Sequence, residues 1–249
     1  MDPAQALCKG CFRSLDEIAR WGAISDAERE RILAELPGRT VMRTVDWYFD
    51  FVSPYSHIAL HRLGELPADV SIRYRPVLFA GLLNHFGHKG PAEIPAKRLW
   101  TYRSCVWLAK AQDIAFRFPA LHPFNSLHHL RLCLAAGATA QATRTIFDDI
   151  WTTGADAADP ARFGALCQKL GVAQGQLGDP AVKDALRRNG EDAIAAGVFG
   201  VPSFVADGEV FWGADSIDFL KGFLAEPAVL RNEEMRRVAA LPVGAARKG

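Results

Sequence analysis

An apolar run that ends at a serine-proline pair constrains the fold of this chain more than any other feature. Residues 45–52 read Val-Asp-Trp-Tyr-Phe-Asp-Phe-Val. They are rich in β-branched and aromatic residues and too few for a typical helix, so they predict a buried strand. Ser53-Pro54 ends this strand and opens a helix, whose apolar residues continue at helical spacing to Gly64. Residues 70–76 alternate as a second strand, so the order predicts a βαβ unit.

The C-terminal region predicts a second small unit with the order strand, strand, helix. Residues 203–206 and 209–212 are strand patterns separated by an Asp-Gly pair, which favours a hairpin. Residues 214–224 predict a final amphipathic helix. The segment 229–249 predicts a polar, alanine-rich tail.

The residues between these two units, 79–198, predict a series of helices. Asp159-Pro160 and Asp179-Pro180 each combine a helix-capping residue with a first-turn proline. One helix carries a predicted apolar stripe formed by Leu99, Tyr102, Val106 and Ala109. The whole order is thioredoxin topology with an insertion. The sequence therefore predicts an α/β, thioredoxin-like fold with an all-helical domain inserted between its βαβ and ββα halves.

Residues 1–43 predict a separate short helical hairpin in front of this fold. Ser14 to Glu17 and Ser25 to Glu28 both match the S-x-x-E capping box, in which serine and glutamate satisfy free N–H groups at a helix start. The apolar face that follows is too small to bury a core by itself. We therefore expect the hairpin to dock on another surface or to bind a partner.

Composition and charge argue against several classes of function. The net charge of +1 over 249 residues supplies no electrostatic reason to expect nucleic acid or an anionic membrane as a partner. No apolar run approaches the roughly 20 residues that a membrane-spanning helix needs, and no secretory signal is predicted at the N-terminus. Cys105, Cys133 and Cys167 are scattered through apolar stretches. This cysteine usage is typical of a reducing compartment and predicts a cytoplasmic protein.

The junction at residues 53–56 offers hydroxyl groups where a thioredoxin-type redox protein needs a thiol. The free N–H groups and the dipole of a helix N-terminus stabilise an anion there, including a thiolate. Because Ser53 and Ser56 stand in place of cysteine, the chain's own residues cannot carry out disulfide exchange at this position. The Ser53 hydroxyl can still donate a hydrogen bond to the thiolate of a bound ligand. The alternative is that Ser53 is only the N-cap before Pro54.

Two further segments predict contacts to a small peptide ligand. Val201-Pro202 precedes the hairpin, at the place where thioredoxin folds hold a cis-proline whose preceding residue turns its backbone towards an extended peptide. Residues 211–216 lie at the predicted start of the last helix, where N–H groups suit a carboxylate and Asp215 suits an ammonium. A γ-glutamyl group carries both charges. Alternatively, Asp215 is an ordinary helix-capping residue.

Together these segments resemble two related enzyme families within the DsbA-like thioredoxin superfamily, the kappa-class glutathione transferases and the 2-hydroxychromene-2-carboxylate isomerases. The resemblance covers residues 45 to about 225. It rests on Phe-Asp-Phe-x-Ser-Pro-x-Ser at 49–56, Phe-Gly-Val-Pro at 199–202 and Trp-Gly-x-Asp at 212–215. It implies glutathione as the cofactor and a homodimer as the assembly.

The resemblance also implies a role for each matching residue. Ser53 is the expected catalytic residue, because its hydroxyl would hold the glutathione thiolate, and Val201 would pair with the tripeptide backbone. The expected contacts of the γ-glutamyl end are Trp212, Gly213, Ala214 and Asp215. The helical insertion would cover the substrate, and its candidate contacts are Lys97, Phe124 and Asn125.

The resemblance further implies a domain division and an activity. Residues 44–78 and 199–228 would form the glutathione-binding domain, and 79–198 the substrate side. In the implied isomerisation of the 2-hydroxychromene-2-carboxylate type, the sulfur adds to a conjugated aromatic acid, a double bond becomes single and rotates, and the sulfur leaves. The family often has Gly-Asn at 87–88 and Asp-Arg at 215–216, where this chain has Gly-His and Asp-Ser. These departures weaken the case for the chromene substrate more than the case for glutathione. Two alternatives stay open: a kappa-like transferase or peroxidase, and a non-catalytic glutathione- or metal-sensing protein.

Histidine pairs raise the question of a metal site. His85 and His88 are spaced H-x-x-H, and His128 and His129 are adjacent. Neither pair brings a third ligand at a recognisable zinc spacing. We therefore predict no metal site from the histidines.

The N-terminal Cys8-x-x-Cys11 is a weak candidate for a metal. With the residues that follow, it resembles a small domain of unknown function whose members are predicted iron–sulfur or metal proteins and usually carry an earlier cysteine pair. Two cysteines cannot complete a tetrahedral site without other ligands. The hairpin is therefore predicted to be a docking or vestigial module, with metal binding by Cys8 and Cys11 as the alternative.

Overall fold

The computed structural model describes residues 7–8, 10–36 and 42–245. The chain divides into two compact units. One comprises residues 1–44 and 67–72, and the other comprises residues 45–66 and 73–249. The finer domain division given above stays a prediction.

The first unit contains two short helices. They are α1 (Leu15–Ala19) and α2 (Asp26–Glu35). Helix α1 begins with the predicted capping box: Ser14 Oγ accepts a hydrogen bond from the Glu17 amide, and the Glu17 carboxylate accepts one from the Ser14 amide at 2.8 Å. The box satisfies two N–H groups that a helix start otherwise leaves free.

The second predicted capping box is only half formed. Ser25 Oγ accepts a hydrogen bond from the Glu28 amide, as expected for an N-cap. The Glu28 carboxylate, however, accepts from the Arg31 guanidinium at 2.7 Å. Residues three apart on a helix are neighbours, and a charged donor outcompetes a backbone amide for the carboxylate.

A four-stranded sheet has the strand order β2-β1-β3-β4. The strands are β1 (Arg43–Phe49), β2 (Val70–Pro76), β3 (Ser203–Ala206) and β4 (Glu209–Trp212). Strand β3 is antiparallel to both β1 and β4. Helix α3 (Pro54–Arg62) connects β1 to β2, and a further helix follows β4, so the predicted βαβ and ββα halves are confirmed.

Six α-helices occupy the described stretch between β2 and β3. They are α4 (Phe79–His85), α5 (Pro95–Ala111), α6 (Leu127–Ala135), α7 (Ala140–Thr153), α8 (Pro160–Lys169) and α9 (Pro180–Ala195). Helices α8 and α9 begin at the two prolines that the Asp-Pro signals predicted. The thioredoxin-like fold with a helical insertion is therefore confirmed.

An aromatic core joins β1 to the helical insertion. Trp47, Phe49 and Phe51 are fully buried, and Phe147 of α7 packs 4.6 Å from Phe51 and 5.6 Å from Phe49, measured between ring centroids. Each such ring buries enough apolar surface to stabilise the fold by roughly 1.5–3 kcal/mol. Helix α7 therefore packs against strand β1, which leads into Ser53.

Strand β1 is shorter than the predicted run, because the chain turns at Asp50. The buried Asp50 carboxylate accepts hydrogen bonds from the Val52 amide at 3.1 Å and from the Phe79 amide at 2.8 Å. Val52 therefore lies in a turn that a side chain organises, and the strand ends at Phe49.

The predicted stripe on α5 is not the buried face of the helix, and Ala109 is its one buried member among the four residues. Leu99 and Val106 are each 52% exposed, while the buried line of the helix is formed by Thr101, Cys105 and Ala109. These three follow an i, i+4, i+8 spacing, so they lie on one face. Small residues occupy that face, and the large apolar side chains lie outside it.

The C-terminal region differs from the prediction in two ways. Residues Ala214–Ser216 form a 3-10 turn, and the α-helix α10 (Ile217–Ala225) begins only after it. The predicted tail contains another short helix, α11 (Glu233–Ala239), which Asn232 caps by accepting a hydrogen bond from the Met235 amide at 2.8 Å. Helix α10 is therefore not the last one.

Candidate functional site

Ser53 lies at the N-terminus of α3 and contacts two of the predicted site segments. Its side chain is 6% exposed. Its Oγ accepts a hydrogen bond from the Ser56 amide at 3.2 Å, so Ser53 is the N-cap of the helix. The same hydroxyl donates to the Val201 carbonyl at 3.4 Å. Ser53 is thus both a cap and a donor whose proton points towards the segment ahead of the hairpin.

The Val201-Pro202 bond is cis, as the sequence predicts. Val201 is 7% exposed, and the Pro202 carbonyl accepts a hydrogen bond from the Gly213 amide at 2.9 Å. One backbone bond therefore links this segment to the segment after β4. Together with the Ser53 bond, it brings the three predicted motifs into one continuous site.

The segment after β4 is shaped by close contacts of its glycines. Trp212 is 56% exposed and packs against Phe199 with 5.0 Å between ring centroids. A Cβ at Gly200 would lie 2.7 Å from Trp212 Nε1, so only glycine leaves room for the indole. Gly213 has φ +100°, a conformation that other residues rarely adopt, and a Cβ there would overlap Asp215 Oδ1.

Asp215 and Ala214 have different surroundings in this segment. Ala214 is buried, and its carbonyl accepts a hydrogen bond from Arg62 at 3.1 Å. Asp215 is exposed. Its charge contributes to raising the pKa of the nearby Tyr55, although burial is the main cause. Asp215 therefore offers a solvent-facing carboxylate close to the start of α3.

The turn between β1 and α3 is held by hydrogen bonds from the helical insertion. The Trp151 indole donates to the Phe51 carbonyl at 2.9 Å, and His122 Nε2 donates to the Val52 carbonyl at 2.8 Å. The Tyr102 hydroxyl lies 2.6 Å from His122 Nδ1. Side chains therefore form hydrogen bonds to the backbone of both Phe51 and Val52, the two residues between Asp50 and Ser53.

Burial sets the charge states of these holding groups. Burial lowers the pKa of His122, partly offset by its hydrogen bond to the Val52 carbonyl, so the ring stays neutral at pH 7. Burial raises the pKa of Asp50, and the hydroxyl and amide donors around it oppose that shift. Sequence reasoning placed Tyr102 in the apolar stripe of α5 and Asp50 in the motif at 49–56, but it predicted no hydrogen bond to this turn from Asp50, Tyr102, His122 or Trp151. A polar residue inside an apolar strand was a signal for Asp50.

The predicted substrate contacts differ in position. Phe124 is half-buried, and its ring lies 6.2 Å from that of His122 between centroids. Asn125 is exposed and accepts a hydrogen bond from the Leu127 amide at 3.0 Å. Lys97 is exposed in the first turn of α5. The structure therefore connects Phe124 to the turn before Ser53 through His122.

Cys8 and Cys11 lie in a tight loop of the first unit. The Cys8 amide donates to the Arg13 carbonyl at 2.8 Å, and Arg13 Nε donates to Cys11 Sγ at 3.4 Å. The pKa of Cys11 is lowered to about 7, first by backbone and side-chain hydrogen bonds from Arg13 and then by Cys8. Within the described residues, no group of three metal-capable side chains includes either cysteine.

The helices that the structure describes include none that is long and apolar enough to cross a membrane.

Comparisons with known proteins identify the family of this chain. Residues 44–225 match the DSBA-like thioredoxin domain family, and residues 1–40 match a family of unknown function, DUF1289. A 2-hydroxychromene-2-carboxylate isomerase of Pseudomonas sp. (strain C18) is 32% identical over 71% of this chain and 88% of its own length. Human glutathione S-transferase kappa 1 is 28% identical over 74% of this chain and 92% of its own.

A solved structure of a 2-hydroxychromene-2-carboxylate isomerase superposes with a TM-score of 0.66. It is 26% identical, and the match covers 77% of this chain and 98% of the other. The chain therefore belongs to the DSBA-like thioredoxin family, together with the 2-hydroxychromene-2-carboxylate isomerases and the kappa-class glutathione transferases.

Proposed function

We propose that this protein is a glutathione-dependent isomerase of the 2-hydroxychromene-2-carboxylate type, acting on an aromatic or conjugated acid. The observation that carries the proposal is the Ser53 hydroxyl, held at a helix N-terminus and directed at the Val201 carbonyl, at the position where a redox protein of this fold carries cysteine. Such a site suits a thiolate that comes with a ligand. Its relatives include isomerases at 32% identity.

The residues present fit glutathione. The exposed Asp215 carboxylate can pair with the ammonium of a γ-glutamyl group, and Gly213 keeps the backbone next to it free of a side chain. Val201 and Trp212 would bind the peptide part. When bound, glutathione supplies a nucleophilic sulfur that the chain itself lacks at this site.

The chain's own residues orient and stabilise this chemistry. Ser53 Oγ already accepts from the Ser56 amide, so its single proton is free to turn from the Val201 carbonyl to an anionic sulfur. An anion is the better acceptor, because a charge-assisted hydrogen bond is roughly twice as strong as a neutral one. The hydrogen bonds to the Phe51 and Val52 carbonyls keep the serine from moving away.

We place the substrate on the side of the helical insertion. Phe124 offers an aromatic face beside His122, and Asn125 follows it directly on an exposed loop. Lys97 would attract the substrate carboxylate from the first turn of α5. These three assignments are tested by the Michaelis constant of alanine variants, which should rise without a matching fall in glutathione affinity.

Two measurements test the proposed function. Calorimetric titration should show glutathione binding to the parent protein, and turnover of a 2-hydroxychromene-2-carboxylate should depend on added glutathione. The Ser53→Ala variant should lose most of that turnover, whereas Ser71→Ala, a change at an exposed strand residue, should not. Absence of glutathione binding to the parent protein would refute the proposal.

A kappa-like glutathione transferase or peroxidase is the second candidate. It is favoured by the similarity to human glutathione S-transferase kappa 1. Ser216 stands where the family often has arginine, and this departure weakens the case for the chromene substrate. Ser216 Oγ donates to the Gly213 carbonyl at 2.8 Å and so supplies no cation to a substrate carboxylate. Conjugation of an aryl halide, or reduction of a peroxide, in the absence of isomerisation would favour this candidate. Glutathione binding with no turnover of any of these substrates would favour the sensing alternative.

We also propose a cytoplasmic homodimer. Helix α5 carries four large apolar side chains that are each more than half exposed: Leu99, Trp100, Val106 and Trp107. Contiguous exposed apolar surface of this kind marks an interaction site. Light scattering should show a dimer for the parent protein and a monomer for Trp107→Glu, while Leu121→Glu, at a residue exposed outside α5, should stay dimeric.

A further inference from the structure

Three side chains that no proposed role uses come together between α3 and α7. His57 and His61 lie one helical turn apart, so they share a face. Asp148 of α7 faces them. One nitrogen or oxygen from each of the three side chains lies within 4.8 Å of the other two. This group brings the third ligand that the other histidine pairs lack.

Two nitrogens of this cluster have no hydrogen-bond partner. His57 Nδ1 and His61 Nε2 are both buried and unpaired in the described structure. His57 is fully buried, and its ring lies among Phe116, Phe147 and Trp151. Buried polar atoms almost always have partners, so two unpaired nitrogens in a cluster that includes a carboxylate indicate room for a ligand.

A hydrogen bond on its far side prepares His57 to bind a metal. His57 Nε2 lies 3.1 Å from the Ala115 carbonyl, which can only accept, so Nε2 carries the proton and Nδ1 presents its lone pair. A metal-bound histidine almost always donates its other N–H in this way. Burial lowers the pKa of His57 to about 4 and also lowers the pKa of His61, so both rings are in the neutral form that metals require.

The electrostatic surroundings of the described cluster include an opposing charge on Arg144. Arg144 is close enough to lower the pKa of both histidines further, whereas Asp148 raises that of His61. Arg144 is exposed, so its side chain can turn towards solvent when a cation binds. Asp148 is half-buried and remains the negative ligand.

We propose that His57, His61 and Asp148 form a binding site for a divalent metal ion of the zinc type, with a fourth position left for water. Two imidazoles and one carboxylate are ligands that zinc prefers. With bonds of about 2.0–2.1 Å, tetrahedral ligand atoms lie about 3.3 Å apart. The ligand atoms lie within 4.8 Å of one another, so each must move by at most about 1.5 Å to reach this separation. Side-chain rotations of the half-buried His61 and Asp148 can supply that movement.

The position of the site gives it an entry path and a structural consequence. His61 also lines a groove of about 490 Å³ whose wall includes Arg62, Glu65, Asp113 and Asp218. Glu65 and Asp218 form ion pairs with Arg62 and Lys221, so the groove provides a path from solvent to His61 and no net acidic attraction. A bound ion would link α3, which carries Ser53, to α7, which carries Trp151. The metal would therefore stabilise the junction without touching the glutathione site.

The test uses the full chain in the Cys8→Ser/Cys11→Ser background, because thiolates are competing zinc ligands. After removal of metal with a chelator, calorimetry with zinc should show one ion bound per chain, and cobalt should give a visible spectrum without the charge-transfer band of thiolate ligands. Zinc should also raise the unfolding temperature. These readouts do not depend on glutathione, so their failure is distinguishable from failure of the proposed function.

Conservative variants locate the site. His61→Gln and Asp148→Asn should each weaken zinc binding by at least roughly tenfold, and each should abolish the rise in unfolding temperature. His128→Gln, at an exposed histidine outside the cluster, is the matched control and should bind as the parent does. Absence of binding in the Cys8→Ser/Cys11→Ser protein, or binding that survives both His61→Gln and Asp148→Asn, would overturn the proposal.

Discussion

Two substitutions at Ser53 should separate its role as a helix cap from its role as a donor to sulfur. Ser53→Ala removes both. Ser53→Asp keeps an oxygen that accepts from the Ser56 amide, since aspartate is as good an N-cap as serine, but it has no proton to donate. Loss of the cap should cost about 1 kcal/mol in the free energy of unfolding, or about 2–4 °C in the unfolding temperature for a chain of this size. We expect that loss in Ser53→Ala and not in Ser53→Asp.

The affinity for glutathione should depend on whether residue 53 can donate a hydrogen bond. A hydrogen bond to a charged acceptor contributes about 1.5–3 kcal/mol, which corresponds to roughly 10- to 100-fold in the dissociation constant. Ser53→Ala should lose that factor for glutathione at a pH where the thiolate is bound, and Ser53→Asp should lose at least that factor, because its carboxylate also repels the thiolate. Neither should lose it for S-methylglutathione, which has no ionisable sulfur. Calorimetric titration of both ligands against the three proteins measures these affinities.

Two outcomes would refute this reasoning. If Ser53→Ala lowers the unfolding temperature but binds glutathione as the parent does, Ser53 is only a cap. If it weakens glutathione and S-methylglutathione equally, the serine shapes the site and does not contact a thiolate. In either case the proposed catalytic role of Ser53 falls.

Three further predictions follow from the packing and the pKa values. Trp151→Phe should cost about 1–3 kcal/mol in the free energy of unfolding, because it leaves a buried carbonyl without its donor; unchanged denaturant curves would contradict this. Gly213→Ala should weaken glutathione binding, whereas Gly208→Ala, equally left-handed at φ +85° but in open space, should cost stability alone. Burial lowers the pKa of His57 and of His129 to about 4, so the stability they contribute is complete above pH 6.5 and is lost as the pH falls towards 4. Urea unfolding at several pH values between 7 and 5 should show the free energy of unfolding falling as the pH falls. In His129→Phe the dependence of that free energy on pH should be smaller by at most about 1.4 kcal/mol per pH unit.

Local signals in the sequence determined the order and type of most elements. Strands β2, β3 and β4 have the predicted bounds, and helices α8 and α9 start at the predicted Asp-Pro pairs. These signals work because a cap, a first-turn proline or an Asp-Gly turn acts within four residues of its own position. The Ser53 and Val201 motifs could be found for the same reason, since each is a short segment with its own conformation.

Contacts between distant segments were decided by the tertiary structure. Nothing near Asp50 in sequence indicates that its carboxylate accepts from the Phe79 amide and so ends β1 early. The buried face of α5 depends on which of its sides meets α3, so small residues are buried while Leu99 and Val106 are exposed. Hydropathy alone cannot select that face.

The junction and the histidine cluster show the same division. The sequence by itself determined that Ser53 caps a helix and stands where a thiol would be needed. Only the folded chain brings His122 to the Val52 carbonyl, and only the packing of α7 on α3 places Asp148 beside His57. The physical reason is that caps and turns are formed by neighbours in the chain, whereas hydrogen bonds and ligand sets between elements require the path of the whole chain.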